Sequence, residues 1–177
     1  MPFEGIPNIY QLASTRVDVL VKKINTSRGE AVIEGVLPWI TLYFDNNFKL
    51  VIAALIHDEK PNRKVLADLQ SEVMMLDDDL RPDEVRIDSG VEFTHLAKHQ
   101  ASPQFKYVTP CYFPSRKESV ESIFQMLDTL WMTLPGYVGP HGSEQSREVT
   151  PQLTLDELKT FFEAFVRWYN RSPRKYY

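Results

Sequence analysis

The sequence predicts an α/β fold, with a mixed five-stranded sheet and helices on both of its faces. Three observations predict it. Extended segments broken by turn signals open the chain, short strands alternate with helical periodicity in the middle, and two capped amphipathic helices close it. Antiparallel strands followed by strands that alternate with helices require a mixed sheet, since the later strands return by crossovers that cover the sheet.

The stretch Ile9–Ile24 is extended, with Val17, Val19 and Val21 in alternation, and Asn25-Thr26-Ser27-Arg28-Gly29 turns it. Trp39–Phe44 is aromatic and β-branched, a strand composition. Asp45-Asn46-Asn47 is a turn signal, so Phe48–Ile56 folds back to complete a hairpin. The period then changes. Val65, Leu69, Val73 and Leu76 recur at helical spacing after Pro61, and Asp77-Asp78-Asp79 with Pro82 ends that helix. Glu84–Asp88 is a short strand stopped by Ser89-Gly90, Thr94–Gln100 forms one or two helical turns, and Gln104–Val108 is another strand.

Ser115-Arg116-Lys117-Glu118 and Thr154-Leu155-Asp156-Glu157 each have the Ser/Thr-x-x-Glu form of a capping box. The first leads into Val120, Ile123, Phe124, Leu127, Leu130 and Trp131. The second leads into Leu158, Phe161, Phe162, Phe165 and Trp168, an aromatic stripe expected to pack inward. Pro135–Pro151, rich in Gly and Pro, is an irregular loop. The element order is that of the ribonuclease H-like fold.

A chain of 177 residues fits one domain, here 1–177 with a core of about 9–131 and a C-terminal helix of about 154–170. The longest apolar run, Leu50–Ile56, is far too short to cross a bilayer, so no membrane partner is expected. No leader-like start is visible and Cys111 is the lone cysteine, which points to the cytoplasm. With 24 acidic and 20 basic side chains the net charge is −4, which argues against a protein that coats nucleic acid but not against one that cuts it.

The chemistry centres on Asp88, at the end of a short strand, and Glu121, 33 positions later inside a capped helix. Phosphoryl transfer with two Mg²⁺ ions needs carboxylates converging from different elements, on ions about 4 Å apart. Mg²⁺ takes one or two protein carboxylates and fills its octahedron with water and phosphate oxygens. A strand-end Asp and a helical Glu meet that need. On spacing alone, an Asp closing a strand and a solvated helix Glu explain the pair more simply.

The surrounding residues add a resemblance. Ile87-Asp88-Ser89-Gly90-Val91-Glu92-Phe93 resembles the Thr-Asp-x-Gly-x-Glu-Phe motif that carries the second acid of DDE integrases and transposases. Lys117-Glu118-Ser119-Val120-Glu121-Ser122-Ile123-Phe124 resembles the segment that carries their third. Leu37-Pro38-Trp39-Ile40-Thr41, Leu134-Pro135-Gly136-Tyr137, Leu153–Leu158 and Trp168-Tyr169-Asn170-Arg171-Ser172-Pro173 resemble segments of the branch containing phage Mu transposase and related bacterial transposon proteins. The resemblance spans about Gln11 to Pro173.

It implies a transposase or integrase catalytic core that cleaves and transfers DNA strands with Mg²⁺ or Mn²⁺, two ions being held when the site is intact. Asp88 would be the second metal ligand and Glu121 the third, Glu118 being already committed to its capping box. Double-stranded DNA, as transposon ends and target, would be the substrate. Working as a homo-oligomer and associating with the nucleoid would follow.

The first acid departs from the pattern. Gln11-Leu12-Ala13-Ser14-Thr15-Arg16-Val17-Asp18-Val19-Leu20-Val21 aligns with the family's opening strand, and Ala13 stands where its catalytic Asp belongs. Asp18 lies five residues further, roughly 16 Å along a continuous strand and on its opposite face. Three explanations stand: a naturally degenerate transposase, an alanine introduced by design, or a shifted register that makes Asp18 the ligand. An alternative to the enzyme is a catalytically inactive, transposase-derived module that binds DNA or protein. A ribonuclease or exonuclease on the same fold fits less well, because those families lack the Leu134–Tyr137 and Tyr169-Asn170 segments.

Other residues read more blandly. His95 and His99 have a zinc-compatible spacing without a third ligand, and His141 sits in a loop. Asp77-Asp78-Asp79 reads as a charged helix end. Arg167, Arg171, Arg174 and Lys175 make a basic end that either touches DNA phosphates or is simply solvated.

Overall fold

A computed structural model describes residues 7–27, 30–87, 106–108, 118–139 and 149–172. Its elements are β1 (Ile9–Arg16), β2 (Val21–Ser27), β3 (Glu30–Val36), β4 (Trp39–Asp45), β5 (Leu50–His57), α1 (Arg63–Met74), β6 (Glu84–Ile87), β7 (Lys106–Val108), α2 (Glu118–Trp131), β8 (Leu153–Thr154) and α3 (Leu155–Arg171). The chain divides into two compact units: Met1–Thr15, Thr41–Leu55 and Pro61–Ile123 form the first, and Arg16–Ile40, Ile56–Lys60 and Phe124–Tyr177 the second.

Five strands form one sheet in the order β5-β4-β1-β6-β7. The bond from Asn46 N to the Ile9 carbonyl (3.0 Å) joins the end of β4 to the start of β1, and that from Val17 N to the Pro38 carbonyl (2.8 Å) joins the opposite ends, so β4 and β1 are antiparallel. β6 pairs parallel to β1, and β7 parallel to β6. A mixed sheet with three leading strands and two parallel strands added on the β1 side has the ribonuclease H-like order predicted from the sequence.

Local chemistry explains its elements. Asp45 makes the β4–β5 hairpin, its Oδ1 accepting from Asn47 N (2.7 Å) and Phe48 N (3.0 Å), while Lys49 takes φ 57° to close the turn. Asn62 caps α1, its Oδ1 accepting from Lys64 N (3.0 Å) and Val65 N (3.1 Å). The helix then buries Val65, Leu66, Leu69 and Val73 against Tyr10, Leu12, Tyr43, Ala53, Val85 and Ile87. The phenol of Tyr10 donates to the Leu80 carbonyl, and burial with the nearby Asp45 charge pushes its pKa far above the ordinary tyrosine value. Asn62→Ala leaves two helix-start N–H groups unpaired and is expected to cost about 1 kcal/mol. Urea unfolding checks this as a lower midpoint with an unchanged m-value.

The second unit holds a three-stranded sheet ordered β3-β2-β8. β2 runs on to Ser27, into the segment Asn25–Gly29 predicted as a turn, and pairs with β3 through Ser27↔Glu30. The continuous extended stretch Ile9–Ile24 is likewise two strands. β1 ends at Arg16, and the chain between it and β2 is held by a different segment: Leu20 N donates to the Gly136 carbonyl (2.8 Å), Val138 N donates to the Asp18 carbonyl (2.9 Å), and Val19 bridges Tyr137. So the first residues of the predicted irregular loop are an organised bridge.

α3 carries its predicted capping box. Thr154 Oγ1 accepts from Glu157 N (3.2 Å), and Glu157 Oε2 accepts from Thr154 N (2.8 Å). Its aromatic stripe does not all pack inward: Phe162 and Phe165 are buried, but Phe161 is 44% and Trp168 56% exposed. At about 100° per residue Phe161 and Trp168 fall together at one edge of the stripe, and the buried side is centred on Leu158, Phe162 and Phe165. The Ser115 capping box, the Thr94–Gln100 turns, the three histidines His95, His99 and His141, Arg174 and Lys175 lie outside the described residues.

Candidate active site

The β1–β6 register positions the site. Ile9 is level with Glu84, Tyr10 with Val85, Gln11 with Arg86 and Leu12 with Ile87. Tyr10, Leu12, Val85 and Ile87 all enter the core formed with α1. Side chains alternate along a strand, so Gln11, Ala13, Glu84 and Arg86 project from the opposite face. Ala13 is the β1 residue directly after the Leu12–Ile87 level, and it is 1% exposed. Asp88 follows Ile87 in sequence and lies outside the described residues.

Arg86 Nε meets Glu84 Oε1 at 2.7 Å, and both side chains are partly buried. Sequence reasoning did not single out this ion pair. Its signal was present, since residues two apart on a strand share a face. Gln11 is buried there as well. On the other face Ser14 and Thr41 share a hydrogen bond of 2.5 Å that ties β1 to β4.

Glu121 lies in the first turns of α2 with its side chain exposed, next to the buried Val120 and two residues before the buried Ile123. A carboxylate on the solvent side of a helix is accessible to a ligand. Asp18 lies two residues beyond the end of β1, with Arg16 Nε 3.9 Å from its Oδ1. Among the described residues no three His, Cys, Asp or Glu side chains are grouped to hold a metal ion. At position 13 the site presents a buried methyl group, which offers a cation nothing. The described residues alone therefore supply no complete set of acids for two metal ions. Nor is any described helix long and apolar enough to cross a membrane.

No family model matches this sequence, and no curated protein matches it. Solved structures do resemble it. The catalytic core domain of HTLV-2 integrase, in a dimeric form in complex with magnesium, shares 14% identity at a TM-score of 0.46, covering 74% of this chain and 77% of that one. The catalytic core domain of BIV integrase shares 15% identity at a TM-score of 0.48, covering 90% of this chain and 98% of the other.

Proposed function

We propose that this chain is the catalytic core of a DNA transposase or integrase whose site lacks its first acid, so that it is silent in strand transfer as it stands. The whole of 1–177 acts as that single core, with Asp88 and Glu121 as the remaining acids and double-stranded DNA as substrate. One observation carries the reading. The parallel register of β1 on β6 supports Ala13 as the residue beside the strand end that leads into Asp88. The four segments that resemble the Mu transposase branch, with the two that resemble the acid-bearing motifs of DDE enzymes, support the substrate class. Groups that act as a unit are not additive, so two acids without the third retain little of the activity.

Divalent metal, when bound by a complete acid set, would supply charge stabilisation for phosphodiester chemistry. This chain's own residues supply the frame: buried Gln11 and the Glu84–Arg86 pair lie on the β1–β6 face, and Glu121 stands on a helix packed through Val120, Ile123 and Leu127. The buried methyl at Ala13 equally favours a second reading, a non-catalytic module that keeps the fold and binds DNA or protein.

Strand transfer of pre-cleaved transposon-end DNA in Mn²⁺ separates these readings. The parent chain is expected to give no product, Ala13→Asp to give product, and Ala13→Asp with Glu121→Ala to return to background. Product from the parent chain would move Asp18 into the site. No product from any of the three, with DNA still bound, would favour the module.

A further inference from the structure

The exposed side of α3 has an ordered composition. Glu157, Phe161, Ala164, Trp168 and Arg171 follow one another at steps of four and three residues, the spacing of a single helical seam, and all five are exposed. Leu158, Phe162 and Phe165 take the buried side. Phe161 and Trp168, with Phe165, form one wall of a groove of about 670 Å³, and Met126 and Leu130 of α2, with Thr133 just beyond it, form the other. Ring centroids of Phe165 and Trp168 lie 5.9 Å apart, so the exposed indole leans on a buried neighbour. Large apolar side chains gathered on one surface mark an interaction site.

The seam is close to palindromic about Ala164. Seven residues before it stands an acid and seven after it a base, with one aromatic between the centre and each end. A second copy laid antiparallel across a twofold axis at Ala164 sets Glu157 against the partner's Arg171, and Arg171 against the partner's Glu157. Phe161 then meets the partner's Trp168, and the small Ala164 side chain lets the helices approach. A twofold contact must be self-complementary in this way. In the parallel arrangement the two ends would instead oppose like charges.

We propose that this face of α3 is a self-association surface, which pairs two copies antiparallel about Ala164. The proposal goes beyond the strand-transfer reading and is independent of it.

Sedimentation velocity on the full chain, with crosslinking, tests it. The parent is expected to show a concentration-dependent dimer, and Trp168→Glu to be monomeric with unchanged far-UV circular dichroism. Arg171→Glu sets acid against acid at both ends and should weaken the dimer about tenfold. In a Cys111→Ser background, Ala164→Cys should oxidise to a disulfide dimer, whereas Glu163→Cys, about 100° further round the helix, should not. A chain that stays monomeric at its highest soluble concentration overturns the proposal. So does a dimer that ignores Trp168→Glu, or Glu163→Cys crosslinking as readily as Ala164→Cys.

Discussion

Ala13→Asp is expected to lower the melting temperature by about 10 °C in EDTA, and Mn²⁺ is expected to restore much of that loss. The parent should not respond to Mn²⁺. Position 13 is buried in β1. A carboxylate placed there loses its hydration, which favours the neutral form and raises its pKa. A rise of roughly 3 units corresponds to about 4 kcal/mol, and for a chain of this size each 1 kcal/mol moves the midpoint by about 2–4 °C. The sign with pH follows from proton counting. The folded state holds its proton to higher pH than the unfolded state, so the penalty is absent below about pH 4 and grows as pH rises toward the folded pKa. Metal binds the ionised form and opposes that penalty, by about 2.7 kcal/mol at a hundredfold excess over its dissociation constant. Differential scanning fluorimetry across pH, with and without Mn²⁺, measures both effects. An Ala13→Asp protein that melts like the parent and ignores Mn²⁺ would remove position 13 from the site.

Where the fold was legible, short-range chemistry made it so. Asp45 bonds its own turn, the Thr154–Glu157 box starts α3, and the Val65, Leu69, Val73 period follows one helix face into the core. Each of these is decided within a few residues, so a single sequence carries the information. The β2–β3 ribbon was not legible. Ile24 and Ile33 are 64% and 61% exposed, so the strands show no alternation of buried and exposed side chains to betray them. They are held instead by pairing with each other and by β8, which lies over a hundred residues away in sequence.

The site divides in the same way. The Leu12–Ile87 pairing sets β1 beside the strand that precedes Asp88 in sequence, a long-range fact on which the proposed placement of Ala13 rests. The end of β1 at Arg16 was not foreseeable. It arises because Val19 leaves the sheet to bridge Tyr137, a partner whose proximity no local pattern encodes. Asp18 lies two residues past the end of β1 at Arg16, so the spacing of a continuous strand does not describe its separation from Ala13.

That bridge gives the other large expected effect: Gly136→Ala is expected to destabilise the chain by about 2–4 kcal/mol. Gly136 has φ +92°, where an L-residue is strained by about 1–3 kcal/mol. An added Cβ would also lie 2.7 Å from the Leu20 carbonyl oxygen, a backbone atom that no rotamer change can move. Relief would require the Gly136 segment to withdraw. That would break the bond from Leu20 N to the Gly136 carbonyl and loosen the Val19–Tyr137 bridge, which fixes the connection between β1 and β2. Gly35→Ala provides the contrast. Its Cβ would meet only the Leu20 side chain, at 3.0 Å, and that side chain can repack, so the expected cost is about 1 kcal/mol. Urea unfolding of the two variants should therefore rank Gly136→Ala well below Gly35→Ala in stability. Equal costs would mean that the Leu134–Tyr137 segment does not hold β1 to β2, and its resemblance to the transposase motif would then need a reason other than this bridge.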